Sequence, residues 1–198
     1  MQGKVVVITG ASRGIGAAAA RAFCGLGAKV ALLARSEPEI AALAAELGEA
    51  AVALTCDVAE FDQVQAALAA VVARWGRLDV LINNAGYGLQ GTVEELDMNA
   101  VRAQMETNFF GLLSVTQAVL PSMREKKSGY IVNVASIAGL RGSPTFGAYN
   151  ASKFAVVGLS EALAQEVAPF GIRVSIVEPG PYRTDWAGSS LKRSEAMQ

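Results

Sequence analysis

The chain has 198 residues, 52% of them hydrophobic and 18% charged, and a formal net charge of −1. That length suits one domain with a substantial core, and the composition excludes a disordered polar chain. The near-zero charge gives no electrostatic ground for nucleic acid or an anionic membrane as a partner, and without histidine and with only Cys24 and Cys56 a zinc site or a Ser-His-Asp triad is disfavoured.

Short apolar runs alternate with longer segments of helical period. Lys4–Ile8, Lys29–Leu33, Ala51–Cys56, Val80–Asn83, Tyr130–Val134 and Arg173–Val177 read as strands. Helices are expected near 14–26, 38–47, 60–75, 98–126 and 149–168. Strands rich in valine and isoleucine without polar alternation suit a parallel sheet covered on both faces. The pattern predicts an α/β fold: a Rossmann-like, doubly wound parallel sheet in three α/β/α layers, one domain over 1–198. The first residues lack a signal-peptide pattern, and no apolar run approaches the ~20 residues of a membrane helix. Both cysteines fall in apolar surroundings, so a cytoplasmic location with reduced thiols is expected.

After the first strand comes Thr9-Gly10-Ala11-Ser12-Arg13-Gly14-Ile15-Gly16, opening the first helix. Glycines there let the backbone turn tightly and approach a pyrophosphate, whose charge a helix N-terminus favours. A strand-to-helix turn can also need glycine for conformational reasons alone. The second strand ends Leu33-Ala34-Arg35-Ser36, with no carboxylate to bind a ribose 2′-hydroxyl. Arg13 and Arg35 would instead meet a 2′-phosphate, which favours NADP(H) over NAD(H). As an alternative, both are solvated surface arginines.

Further along, Tyr149 and Lys153 stand four residues apart, on one face of a helix, with Ser136 upstream. A free phenol ionises near pH 10, and bringing it towards neutrality takes about 4 kcal/mol of phenolate stabilisation, which a nearby cation can supply. Such a tyrosine can exchange a proton with an alcohol or carbonyl oxygen. Each of these residues also has an ordinary explanation. Ser136 suits a strand-end turn, Asn108 a helix residue bonded to backbone, Asp57 a helix cap, and Pro179-Gly180 turn punctuation.

Taken in order, the Thr9–Gly16 loop, Asp57-Val58, Asn83-Asn84-Ala85-Gly86, Asn108, Ser136, Tyr149 with Lys153, and Pro179-Gly180 resemble the classical short-chain dehydrogenase/reductases, from Thr9 to Thr184. The resemblance implies a catalytic set of Asn108, Ser136, Tyr149 and Lys153. Tyr149 would donate or accept the proton. Lys153 would hold the nicotinamide ribose and lower the tyrosine's pKa. Ser136 would bind the substrate oxygen, and Asn108 a relay water. For the cofactor it implies Gly10, Ser12, Arg13, Gly14, Ile15, Gly16 and Arg35, then Asp57 and Val58 at the adenine. Asn83, Ala85 and Gly86 would border the cofactor and steady the sheet, Pro179 and Gly180 would shape the nicotinamide site, and Thr184 would bind the carboxamide.

By family position, Tyr87, Leu140, Phe146, Tyr182 and Trp186 would face a mostly apolar substrate. Arg141 would contact a polar substituent or stay solvated. The implied activity is that of a carbonyl reductase or alcohol dehydrogenase. A non-catalytic NADP(H)-binding redox sensor or partner-binding module on the same fold is the alternative. The family usually continues with a substrate-covering segment and a seventh strand, and both are expected to be missing from these 198 residues, which would leave Arg173–Val177 at the sheet edge. A homodimer through the helices near 98–126 and 149–168 is expected.

Overall fold

The computed structural model of the protein describes residues 1–180 and 191–194. Its strands are β1 (Val5–Thr9), β2 (Lys29–Ala34), β3 (Ala51–Thr55), β4 (Val80–Asn83), β5 (Gly88–Gln90), β6 (Gly129–Val134), β7 (Ile172–Val177) and β8 (Leu191–Arg193). Between them lie helices α1 (Gly14–Gly25), α2 (Glu37–Leu47), α3 (Phe61–Trp75), α4 (Met98–Met105), α5 (Gly111–Glu125) and α6 (Gly147–Val167). Every predicted strand and helix is present, with ends displaced by a residue or two.

Six strands form one parallel sheet in the order β3-β2-β1-β4-β6-β7. Parallel strands need crossover helices, and these cover both faces. Val6, Ile8, Val30 and Leu32 pack towards α1 and α2, whereas Val5, Val7, Leu33 and Leu81 pack towards α3, α5 and the end of α6. Strand β1 is buried along its whole length, which is why its run Val-Val-Val-Ile shows no polar alternation. Each such side chain contributes roughly 1.5–3 kcal/mol by leaving water. The result is the expected Rossmann-like arrangement, with β7 last in the sheet among the described residues.

Two elements carry no clear signal in the sequence. A π-turn, Glu106–Phe110, joins α4 to α5 and inserts Asn108 into the interior. Strands β5 and β8 form a separate parallel pair outside the main sheet, with Gly88 opposite Leu191 and Gln90 opposite Arg193. The strand order reverses between β1 and β4, and the loops at the carboxyl ends of those strands open into a crevice.

Candidate active site

The loop after β1 is shaped by close backbone contacts. Gly10 has φ +63°, and a Cβ there would stand 2.8 Å from the Ala85 Cα, so no larger residue fits the approach of this loop to the strand end of β4. Gly16 packs its backbone directly on the Gly10 carbonyl. Thr9 and Asn84 lock the two strand ends together. The Thr9 hydroxyl accepts from the N–H groups of Asn84 (3.0 Å) and Ala85 (3.1 Å). The Asn84 side-chain amide donates to the carbonyls of Thr9 (3.1 Å) and Gly10 (3.0 Å).

Asn83 lies behind this wall, in the core. Its amide donates to Thr116 Oγ1 (3.0 Å) and Asn133 Oδ1 (2.9 Å), and Asn133 in turn donates to Ser160 Oγ (2.8 Å) on α6. Buried polar groups need partners, and this chain of amides and hydroxyls ties β4, β6, α5 and α6 beneath the crevice.

Helix α6 brings Tyr149 and Lys153 to the crevice, both buried. Lys153 Nζ stands 5.9 Å from the Tyr149 ring centroid and donates to the Val134 carbonyl at the end of β6 (2.9 Å). Burial pushes the Lys153 ammonium down to a pKa of about 8. Ser136 begins the turn after β6, where its hydroxyl oxygen accepts from the Ala138 N–H (3.1 Å), leaving its hydrogen to point elsewhere. Asn150, next to Tyr149, fixes that turn against α6. Its amide donates to the carbonyls of Ala138 (2.8 Å) and Arg141 (3.0 Å), and its oxygen accepts from the Ser143 N–H (3.0 Å).

Asn108 supports the opposite side of Lys153. Its Oδ1 accepts from the Tyr87 N–H and its Nδ2 donates to the Tyr87 carbonyl and to Ser152 Oγ, each at 3.0 Å. Gly86 fits between, for a Cβ there would lie 3.1 Å from Asn108 Oδ1 and 3.5 Å from Lys153 Nζ.

These parts enclose a cavity of about 780 Å³, a size usual for small-molecule sites. Of the predicted residues, Gly10, Ser12, Arg13, Gly14, Ile15, Arg35, Asp57, Val58, Ala85, Gly86, Ser136, Tyr149, Lys153, Pro179 and Gly180 line it, with Tyr87 and Phe146. Gly16, Asn83 and Asn108 stand behind the wall, and Leu140 projects into solvent, 58% exposed. Tyr182, Thr184 and Trp186 lie outside the described residues. Sequence reading assigned no role to Thr107, Asn150 or Lys192, which also line the cavity.

Two placements refine the chemistry. Arg35 and Asp57 pair at 3.7 Å, so the arginine expected at a ribose phosphate is held at the cavity rim by a carboxylate. Tyr87 lies within the field of both. Burial pushes its phenol up, Arg35 opposes that and Asp57 adds to it.

The lining fits a nicotinamide dinucleotide: a glycine loop too tight for side chains, a helix N-terminus and two arginines, with Ser136, Tyr149 and Lys153 on the same wall.

Comparison with known proteins points the same way. The family described as short chain dehydrogenase matches residues 4–195. Oxidoreductase BOA17 of Botryotinia fuckeliana is 44% identical over 96% of this chain and 69% of its own length. A 3-ketodihydrosphingosine reductase of Bacteroides thetaiotaomicron is 43% identical over 93% of this chain and 66% of its own. The chain thus spans about two thirds of the length of these curated relatives. Among solved structures, an actinorhodin polyketide ketoreductase with NADPH superposes with a TM-score of 0.91 at 41% identity, over 94% of this chain and 73% of that one. A 3-ketoacyl-(acyl-carrier-protein) reductase from Brucella melitensis complexed with NADH gives 0.93 at 34%, over 97% and 80%. With its order of strands, its glycine loop and nearly its whole length matched in this way, the chain belongs to the short-chain dehydrogenase family.

Proposed function

We propose that the protein is an NADP(H)-dependent oxidoreductase acting between a carbonyl and the corresponding secondary alcohol. The observation that carries this reading is that Ser136, Tyr149 and Lys153 share one cavity with the glycine loop and two arginines. Hydride transfer is the chemistry a bound nicotinamide supplies. In the reducing direction the Tyr149 phenol gives its proton to the substrate oxygen, while the Ser136 hydroxyl donates a hydrogen bond to that same oxygen and stabilises its developing charge. The Lys153 ammonium favours the phenolate that Tyr149 becomes and binds the ribose hydroxyls. With burial holding it near 8, Lys153 is also suited to pass a proton onwards, through a water held beside Asn108.

Arg13 and Arg35 on the cavity wall support NADP(H) over NAD(H). The solved relatives include complexes with each reduced form, so the preference rests on these two residues. Phe146 on the wall, and a relative named for a ketodihydrosphingosine, support a bulky, mostly apolar ketone as substrate class. The free thiols Cys24 and Cys56 suit the cytoplasm. We further place a homodimer interface on α4, α5 and α6, where Phe110, in the π segment joining α4 to α5, and Phe154 are exposed.

Oxidation of NADPH and of NADH against a panel of apolar ketones and aldehydes tests the reading. NADPH is expected to support turnover better than NADH. Tyr149→Phe should lose at least about a hundredfold in kcat while binding NADPH as the parent does. Turnover persisting in that variant sinks the role of Tyr149. Nucleotide binding with no turnover on any carbonyl would return the reading to a redox sensor.

A further inference from the structure

Strand β8 lies at the cavity, paired with β5. Three register pairs join it to β5, the Ser194 N–H donates to the Gln90 carbonyl (2.8 Å), and the Ser194 hydroxyl donates to the Glu95 carbonyl (2.8 Å). Lys192, at the centre of this strand, lines the cavity, and its ammonium lies 4.6 Å from the centroid of the Tyr87 ring.

Among the described residues no carboxylate pairs with Lys192, whose ammonium lies over the face of Tyr87 instead. Tyr87 lines the same cavity as Arg35 and Asp57, whose charges act on its phenol. The cavity wall bears five cationic side chains, Arg13, Arg35, Arg141, Lys153 and Lys192, against the two carboxylates Glu39 and Asp57. A wall so charged attracts a polyanion, and a lysine on a partly exposed strand above an aromatic face can turn its ammonium to an arriving phosphate at little cost.

We propose that Lys192 is a phosphate-binding residue of this cavity, brought over the nucleotide by the pairing of β5 with β8. The proposal rests on the dinucleotide reading given above. It makes β8 part of the nucleotide site, and it gives Tyr87 the task of holding the lysine ready beside the nucleotide rather than meeting the substrate. The recognised group is a phosphate, either the pyrophosphate common to both nucleotides or the 2′-phosphate that NADPH alone carries.

The test is a fluorescence titration of the full chain with NADPH and NADH, comparing the parent with Lys192→Met, Lys192→Gln and Lys192→Arg. Met and Gln keep much of the stem that packs on Tyr87 and remove the charge. Both are expected to raise the Kd for NADPH about tenfold, and Arg to stay within about threefold of the parent. The loss should shrink as salt is raised. An equal loss with NADH assigns the pyrophosphate, and a loss confined to NADPH assigns the 2′-phosphate. Unchanged Kd values for both nucleotides in Met and Gln overturn the role of Lys192. A parent protein that binds neither nucleotide overturns instead the function proposed for the cavity.

Discussion

Lys153 is a cation largely withdrawn from solvent, and its ionisation is therefore linked to folding. An ordinary lysine ionises near pH 10.5, and in the folded chain burial lowers this to about 8. Between these values the unfolded chain binds more protons than the folded one, so stability rises with pH across the window. The penalty is complete below about pH 8 and relieved towards 10.5. The parent should gain roughly 3 kcal/mol relative to Lys153→Met between those limits. Urea unfolding of both proteins at a series of pH values measures this, and parallel profiles would refute it. Cys56, whose thiol burial pushes up to about 11 with Asp57 adding to the effect, shifts stability in the opposite sense but is common to both proteins and cancels. The spacing put a lysine beside a tyrosine on one helix face, but it took the glycine loop, Asn108 and Ser136 in family order to give that pair a meaning beyond a plain amphipathic helix. That its amine donates to the Val134 carbonyl was not legible, because the partner comes from another strand.

Among the elements, the parallel strands were readable because burial on both faces leaves an apolar run with no interruption. Strands β5 and β8 were not, since three residues such as Gly-Leu-Gln or Leu-Lys-Arg have no period to detect. The π-turn was likewise hidden: Glu-Thr-Asn-Phe-Phe continues a helical pattern as well as it interrupts one, and only packing against Tyr87 decides. Asn83 and Asn133 show the same limit from the other side, as polar residues within strands whose partners lie on helices distant in sequence. Their network makes a stability prediction. Asn133→Ala removes one partner each from Asn83 and Ser160 and leaves a void, at an expected cost of about 2–3 kcal/mol. The midpoint of chemical denaturation reports it, and a cost under about 0.5 kcal/mol would mean that the network does not hold the four elements together.

For the whole molecule, α6 and the π segment between α4 and α5 present apolar surface as well as supporting the site, with Phe110 at 48% and Phe154 at 46% exposure. Sedimentation velocity is expected to show a dimer, and Phe154→Glu to shift it towards monomer, because a carboxylate buried in an apolar interface is costly. A monomeric parent would remove the interface from these helices. Among the described residues β7 stands last in the sheet, and Arg173 on that strand lies over the Tyr130 ring at 4.7 Å.

The reversal between β1 and β4 has a mechanical side. Its ladder has three register pairs, Val6 with Val80 to Ile8 with Ile82, where β1 and β2 share five and β6 and β7 share six. Thr9 and Asn84 add side-chain bonds at the end of this short seam, where the crevice opens. A ligand lying across the crevice touches both halves of the sheet at their least stitched joint, and so acts as a splint between them as well as a reactant.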